Sequence, residues 1–305
     1  MAHALLLYNP KSGSGAAGQL VPQLLAILRQ HYPDIEAEAT HAPASAGTQV
    51  QNAAERGVRH VFVCGGDGTL LEALQGAVHR DVTLGVLPLG TGNVVARELG
   101  LKLNPLRAAH QLLSFTARRI PVGVAEHLAE TGKSYFLAAA GAGLHAELMA
   151  VPKTGTGRSR AHYFREGARL ASRPQAQSFQ LRIIMPDGTV RTEDASEVLV
   201  MRVRSFWGAL KLWHPGLGLA SDQLRIIFTR SHHRMRLAFY LGRCLLGFPA
   251  HTDEHVISLL VKELECSALT DIPAQLDGDP FGNLPVRFSS EPDALSLLMP
   301  SLSRP

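Results

Sequence analysis

Cysteine is scarce in this chain of 305 residues: Cys64, Cys244 and Cys266 are odd in number and widely spaced. That excludes a disulfide framework and a cysteine-built metal site, and reads as reduced core thiols of a cytosolic protein. No apolar run reaches the roughly 20 residues that a membrane-spanning helix needs. The N-terminus passes straight into a strand, without a basic start or a cleavage site, so no signal peptide is expected. Internal repeats and low-complexity segments are missing as well. So is the P-loop pattern, because Pro10-Lys11-Ser12 puts proline where that loop needs glycine. What remains is an ordinary globular composition, 46% hydrophobic and 18% charged, in a chain long enough for two cores.

The net charge is small, +4 from 30 basic and 26 acidic residues, but it is unevenly spread. Residues 151–243 carry 16 Lys/Arg against 6 Asp/Glu, and the remainder carries 14 against 20. Such asymmetry marks a region that faces anionic material, phospholipid or nucleic acid. The plainer reading is an arginine-rich composition, since 24 of the 30 basic residues are arginine.

Residues 61–74 organise the rest. Val61–Val63 has the β-branched and aromatic make-up of a buried parallel strand. Gly65, Gly66 and Gly68 let the backbone turn and come close to another molecule. Leu70, Leu71 and Leu74 resume at helical spacing, so a helix should open near Thr69. Strand, glycine turn and helix N-terminus together leave free N–H groups where a phosphate can sit. Asp67 would repel the phosphate and suits a Mg²⁺-linked or water-linked role beside it. The alternative is a tight α/β turn with no ligand. Two further strand-to-loop transitions have the same character: Ala4–Tyr8 into Asn9-Pro-Lys-Ser-Gly13, and Leu84–Leu87 into Pro88-Leu-Gly-Thr-Gly-Asn93. In a parallel sheet these loops gather at the carboxyl edge of the strands, where ligands bind.

In this order and spacing, the three motifs resemble the diacylglycerol kinase catalytic-domain family of lipid kinases, which includes bacterial diacylglycerol kinase-like enzymes and sphingosine kinases. Gly65-Gly-Asp-Gly68 alone also resembles NAD kinases and phosphofructokinases; the triple is the specific signal. The expected fold is an α/β nucleotide-binding domain with a parallel sheet over residues 1–125, then a β-rich antiparallel sandwich over 126–290. Beyond Ile120–Glu126 many short β-like runs separated by turns carry the second part of that reading. The resemblance further implies that residues 291–305 return to the first domain. For ATP it implies contacts from Asn9, Thr40, Gly65, Gly66, Asp67, Gly68, Thr69, Glu72, Gly90, Thr91 and Asn93. A catalytic Mg²⁺ would bridge phosphate oxygens.

In Gln275-Leu-Asp-Gly-Asp-Pro-Phe281, two carboxylates flank a glycine turn. Its plain reading is an Asx turn. The family's motif there is Asp-Gly-Glu, which makes Asp277 and Asp279 the candidates for the general base on the lipid hydroxyl, with Asp279 departing from the pattern. Leu219-Ala-Ser-Asp-Gln-Leu224 resembles the family's Mg²⁺-holding loop, with Asp222 and the carbonyls of Leu219 and Leu224 as ligands, although Gln223 stands where the family has Gly. His145 likewise replaces the family's Asp in Gly141-Ala-Gly-Leu-His-Ala146. That stretch superficially matches a dinucleotide fingerprint and is rejected for want of a βαβ unit. His251-Thr-Asp-Glu-His255 has a zinc-peptidase form but lacks the long helix that form requires.

The leading expectation is an ATP-dependent lipid kinase, with diacylglycerol, a sphingoid base, ceramide or phosphatidylglycerol all open as acceptor. An NAD kinase-like enzyme and a non-catalytic nucleotide- or lipid-binding module are the alternatives. Expected partners are the lipid substrate and an anionic membrane surface, met peripherally at the inner membrane face from the cytoplasm. No nucleic acid partner is expected, and a homodimer stays open.

One prediction follows from the basic region. Ala161–Arg173 reads as a helix with Arg165, Arg169 and Arg173 along one face, suited to an anionic bilayer at about 1 kcal/mol per basic residue. Replacing all three with Gln should weaken cosedimentation with anionic vesicles, most at low salt. Unchanged cosedimentation would leave the helix a solvated face.

Overall fold

A computed structural model describes residues 3–128, 132–150, 169, 177–206, 210–211, 217–231, 233 and 256–301. The sequence expectations at residues 161–173 (Arg169 aside, which is helical and exposed), at His251–His255 and at Cys244 lie outside the described residues. The chain divides into two compact units, Met1–Val122 with Pro292–Pro305, and Gly123–Glu291. No helix among the described residues is long and apolar enough to cross a membrane.

The first unit is α/β. Its strands β1 (Ala4–Tyr8), β2 (Glu36–Ala39), β3 (His60–Gly65) and β4 (Thr83–Pro88) lie in the order β2-β1-β3-β4, all parallel. Leu6, Leu7, Val61, Phe62, Leu84 and Leu87 are buried, the continuous apolar character of strands covered on both faces. The intervening helices are α1 (Ala17–Leu28), α2 (Ala46–Glu55), α3 (Asp67–Ala77), α4 (Val94–Glu98) and α5 (Pro105–Leu112). The sequence spacing predicts the last of these over 107–115; it begins earlier because Asn104 caps it. The Asn104 side chain accepts from the N–H groups of Leu106 and Arg107, and Pro105 fills the first helical position, where no N–H is needed.

The second unit is an antiparallel sandwich. Its strands are numbered on in chain order: β5 (Thr116–His127, beginning in the first unit), β6 (Lys133–Phe136), β7 (Ala139–Gly143), β8 (Phe179–Ile184), β9 (Val190–Ala195), β10 (Glu197–Met201), a short hairpin of β11 (Ser205–Phe206) and β12 (Leu210–Lys211), β13 (Leu224–Thr229), β14 (Val256–Val261), β15 (Glu263–Ser267), β16 (Pro273–Leu276), β17 (Asp279–Asn283) and β18 (Val286–Met299). Helix α6 (Leu144–Ala150) follows β7. One sheet has the order β14-β13-β10-β7-β16-β17. Opposite it, β9, β8 and β15 pair in turn with the first residues of β18, Val286–Ser289. Phe136, Phe179, Leu181, Val198, Val200, Ile226, Leu264 and Phe288 from the two sheets share one core. Further along β18, Ser296 and Leu297 lie parallel to β4 in the first unit, with the hydroxyls of Thr83 and Ser296 2.9 Å apart.

Two corrections to the strand expectations bear on the site. Ser134–Ala140, whose residues read as one continuous strand, is two strands, β6 and β7, parted by a bend at Leu137–Ala138. Lys133–Phe136 thus pairs with β5, while glycine-rich 139–143 lies between β10 and β16 in the other sheet. Strands β16 and β17 flank the Asp277–Gly278 turn, although Pro273 and Pro280 argue locally against strand. Cys64 and Cys266 are free and buried, and burial pushes the Cys64 thiol up to about 12.

Helices α2 and α3 cross at two glycines. A Cβ on Gly76 would stand 1.9 Å from the carbonyl oxygen of Gly47. Gly76→Ala should therefore force the helices apart and destabilise the protein by about 2 kcal/mol or more, read by urea unfolding. A loss below about 0.5 kcal/mol would mean that the crossing is looser than this geometry.

Candidate active site

Each glycine loop of the first unit leaves the carboxyl end of a strand, and hydrogen bonds tie the loops together. Asn9 N–H donates to the Cys64 carbonyl at 3.0 Å, and Leu89 N–H to that of Gly65 at 2.8 Å. The Asn9 side chain donates to Thr69 Oγ1 at 3.1 Å, joining the first loop to the first turn of α3. Thr40 N–H reaches the Tyr8 carbonyl at 2.8 Å, which sets Thr40 at the same strand edge. Asn93, in the left-handed region at φ 50, clamps its own loop by accepting from Gly90 N–H and donating to the Gly90 carbonyl. Thr91 and Gly90 are exposed at the tip. Glu72 faces elsewhere: its carboxylate accepts from Ala46 N–H at 3.4 Å, on the α2 side.

The glycines are needed here for proximity. Neither Gly65 nor Gly66 has a positive φ. A Cβ on Gly65 would lie 2.7 Å from Thr69 Cβ, and one on Gly90 would lie 2.6 Å from Gly66 Cα. The loops after β3 and β4 therefore touch backbone to backbone. Gly66 is the extended residue before α3, Asp67 and Gly68 open the helix, and the expected start near Thr69 moves two residues earlier. Asp67 also has a second task. Its Oδ1 accepts from Val94 N–H at 2.7 Å, and a Cβ on Gly92 would meet its Oδ2 at 2.6 Å. The carboxylate thus caps α4 and binds one glycine loop to the other. Burial holds its pKa above the usual value, opposed by the N–H groups of Val94, Asn93 and Val95.

In the second unit the turn between β16 and β17 is held from several sides. Asp277, at φ 48, accepts through Oδ2 from Leu137 N–H and through Oδ1 from Ala138 and Ala139 N–H, each at 2.8 Å. Its own N–H donates to the Ala139 carbonyl at 2.7 Å. Gly278 N–H donates to Gln275 Oε1 at 2.7 Å. Gln275 is 1% exposed, and its Nε2 lies 3.3 Å from Nε2 of His145. Nδ1 of that imidazole meets the Glu197 carboxylate. The bonds run in one direction if His145 carries its proton on Nδ1: from Gly278 through Gln275 and His145 to Glu197. His145, in the place of a carboxylate, is thus a buried support for the turn. Asp279, half-exposed, begins β17 opposite Leu276. Beside it the rings of His127 and Phe281 stack at 4.4 Å, lining a cavity of about 560 Å³.

The model of the diacylglycerol kinase catalytic domain matches residues 3–125. Over these residues the chain is similar to that family. Across the whole chain, a diacylglycerol kinase of Bacillus subtilis (strain 168) is 28% identical over 98% of this chain and 97% of its own length. One of Mycobacterium tuberculosis is 29% identical over 96% and 94%. A crystal structure of a candidate diacylglycerol kinase from Bacillus anthracis str. Sterne superposes with a TM-score of 0.77 at 22% identity, over 98% and 97% of the two chains. That likeness establishes the fold, an α/β part with an antiparallel sandwich.

Against the diacylglycerol kinase pattern, the loop expected to hold Mg²⁺ differs. Its Leu219 carbonyl accepts from Nη2 of Arg202 at 3.1 Å. Asp222 is exposed and lies close enough to Arg202 to act on its charge, while Leu224 is the first residue of β13. Two unit positive charges 4 Å apart repel by about 4 kcal/mol at an effective dielectric of 20, and a divalent ion doubles that. No cluster of three or more His, Cys, Asp or Glu side chains suited to a metal occurs among the described residues. The Leu219, Asp222 and Leu224 set does not fit a structural Mg²⁺, because a guanidinium already takes the Leu219 carbonyl.

Sequence reasoning passed over Arg202, Gln275 and Glu197. A signal for Arg202 was present. Val198, Val200 and Arg202 stand at alternate positions, so an arginine just past the strand shares the register of two inward valines.

Asp67 yields a pH test. A raised folded pKa means that the carboxyl favours folding below its unfolded pKa, and that this contribution is lost as pH rises through the folded value. Asp67→Asn keeps an acceptor for Val94 N–H without the buried charge. Its stability relative to wild type should therefore rise between about pH 3 and pH 7, measured by urea unfolding. A variant that loses ground toward neutral pH would make the carboxylate a structural cap and nothing more.

Proposed function

We propose that this protein is an ATP-dependent lipid kinase of the diacylglycerol kinase type, transferring the γ-phosphoryl group of Mg-ATP to a lipid hydroxyl. The observation that carries the reading is the N-terminus of α3 between the two touching glycine loops. The first N–H groups of that helix, backbone-lined and open beside Gly66 and Gly90, suit a phosphate. Asn9, Thr40, Thr69, Thr91 and Asn93 stand on the same strand edge to orient the nucleotide. Asp67, which keeps a charge at some cost to folding, serves the Mg²⁺ that arrives with ATP, through a water. Glu72, turned to α2, has at most an indirect part.

Phosphoryl transfer demands positioning and charge stabilisation more than covalent chemistry. The acceptor oxygen bonds to Pγ, the Pγ–O bond to ADP breaks, and the leaving oxygen takes the electron pair. The hydroxyl proton goes to Asp279. Of the two turn carboxylates, Asp279 is the one for this role, because both oxygens of Asp277 are committed to backbone N–H groups. The cavity beside Asp279, with its stacked aromatic pair, suits the lipid better than a dinucleotide. Work at the membrane from the cytoplasmic side belongs to the same reading.

Radiolabelled ATP offered with a panel of hydroxylated lipids tests the activity and identifies the acceptor; no lipid labelled would overturn it. Asp279→Asn should lower lipid phosphorylation by about 10²-fold or more while leaving ATP affinity nearly unchanged. Asp277→Asn should act differently, by lowering the unfolding temperature. Full activity in Asp279→Asn would move the base elsewhere.

A further inference from the structure

We infer that the Arg202 guanidinium is the built-in cation of the Leu219–Asp222 loop and the Asp277 turn, so that this region is organised without a divalent ion. Arg202 is 1% exposed, and its long side chain is among the largest fully buried in the protein. Nη2 donates to the Leu219 carbonyl and Nη1 to Ser290 Oγ, both at 3.1 Å. Its backbone N–H donates to the Ala138 carbonyl at 2.9 Å, in the same bend whose N–H groups hold Asp277. The charges of Asp277 and Asp222 both act on it.

A buried charge is stable only when opposite charge and hydrogen bonds replace its lost hydration. Arg202 is served on both counts: the charges of Asp277 and Asp222 act on it, and a carbonyl and a hydroxyl accept from its two Nη groups. Burial lowers its pKa to about 10, the two aspartates working in the other direction, and it stays protonated at neutral pH. The oxygen set that would have drawn in a divalent ion is thus already served by a planar, permanently charged side chain on β10's inward register. Gln223, in place of a glycine, fits the same change, since the loop closes around an arginine and its N–H bonds Ser221 Oγ at 3.2 Å. This inference concerns the nucleotide-free protein and stands apart from the lipid-kinase reading.

The test uses full-length protein without nucleotide, stripped of metal and then titrated with Mg²⁺ or Mn²⁺. Wild type should unfold at the same temperature, within about 1 °C, in chelator and in excess Mg²⁺. Calorimetry should register no Mg²⁺ binding. Arg202→Ala should unfold about 10 °C lower, because it empties a buried position and strips the Leu219 carbonyl and Ser290 hydroxyl of their partner. Part of that loss should return with Mg²⁺ or Mn²⁺ and vanish again on adding Asp222→Asn. If Arg202→Ala does not fold, the wild-type arm still decides. A wild type stabilised by Mg²⁺ through Asp222 overturns the inference, as does an Arg202→Ala protein that folds as well as wild type and ignores the metal.

Discussion

The close approach of Gly66 and Gly90 is the constraint on which the first unit's candidate site depends. With 2.6 Å left for a Cβ on Gly90, only hydrogen atoms fit between the loops after β3 and β4. That contact puts the Asp67 carboxylate within reach of Val94 N–H, so the start of α3 and the start of α4 are set by one another. The same contact leaves the α3 N-terminus lined by backbone. An anion there meets N–H groups already paid for by folding, with no side chain to displace.

A comparable economy governs the second unit. The Asp277 carboxylate ends the chain's freedom at the β16–β17 turn by gathering three N–H groups from the bend between β6 and β7. Around it, Arg202 brings a positive charge and the Gln275–His145–Glu197 series holds the next residue, Gly278. The turn is stiff because the Asp277 carboxylate, the Gln275 amide and the His145 imidazole find their partners inside the protein. Asp279, one residue further on, inherits that placement while its own carboxylate stays near solvent. Supporting residues and the proposed base are thereby separated along a stretch of only three residues.

Much of the local architecture was legible in the residues. The β-branched run before Gly65, the leucine spacing after Thr69, and the repeat of this pattern around Tyr8 and Leu87 specify parallel strands leading into glycine loops and helices. Elements whose local preferences disagree with their context were not legible. The β16 and β17 strands carry Pro273 and Pro280, and the bend at Leu137–Ala138 interrupts a run that looks continuous. In each case the deciding partner is a carboxylate or strand far away in the chain.

By itself the sequence determined which residue types stand at the loops: glycines that allow contact, aspartates that can accept, an arginine on an inward register. It carried the resemblance to the diacylglycerol kinase catalytic domain as well, because the spacing of those motifs is a local property. Tertiary structure alone decided what each charge is for. Asp67 is set to its task by Val94, 27 positions on, and Asp277 by Ala138, 139 positions back. Leu219's carbonyl is met by a guanidinium 17 residues earlier, just past the end of β10. The physical reason is that a hydrogen bond or an ion pair is fixed by distance in space, to within a few tenths of an ångström, and chain separation says nothing about it until the fold has closed.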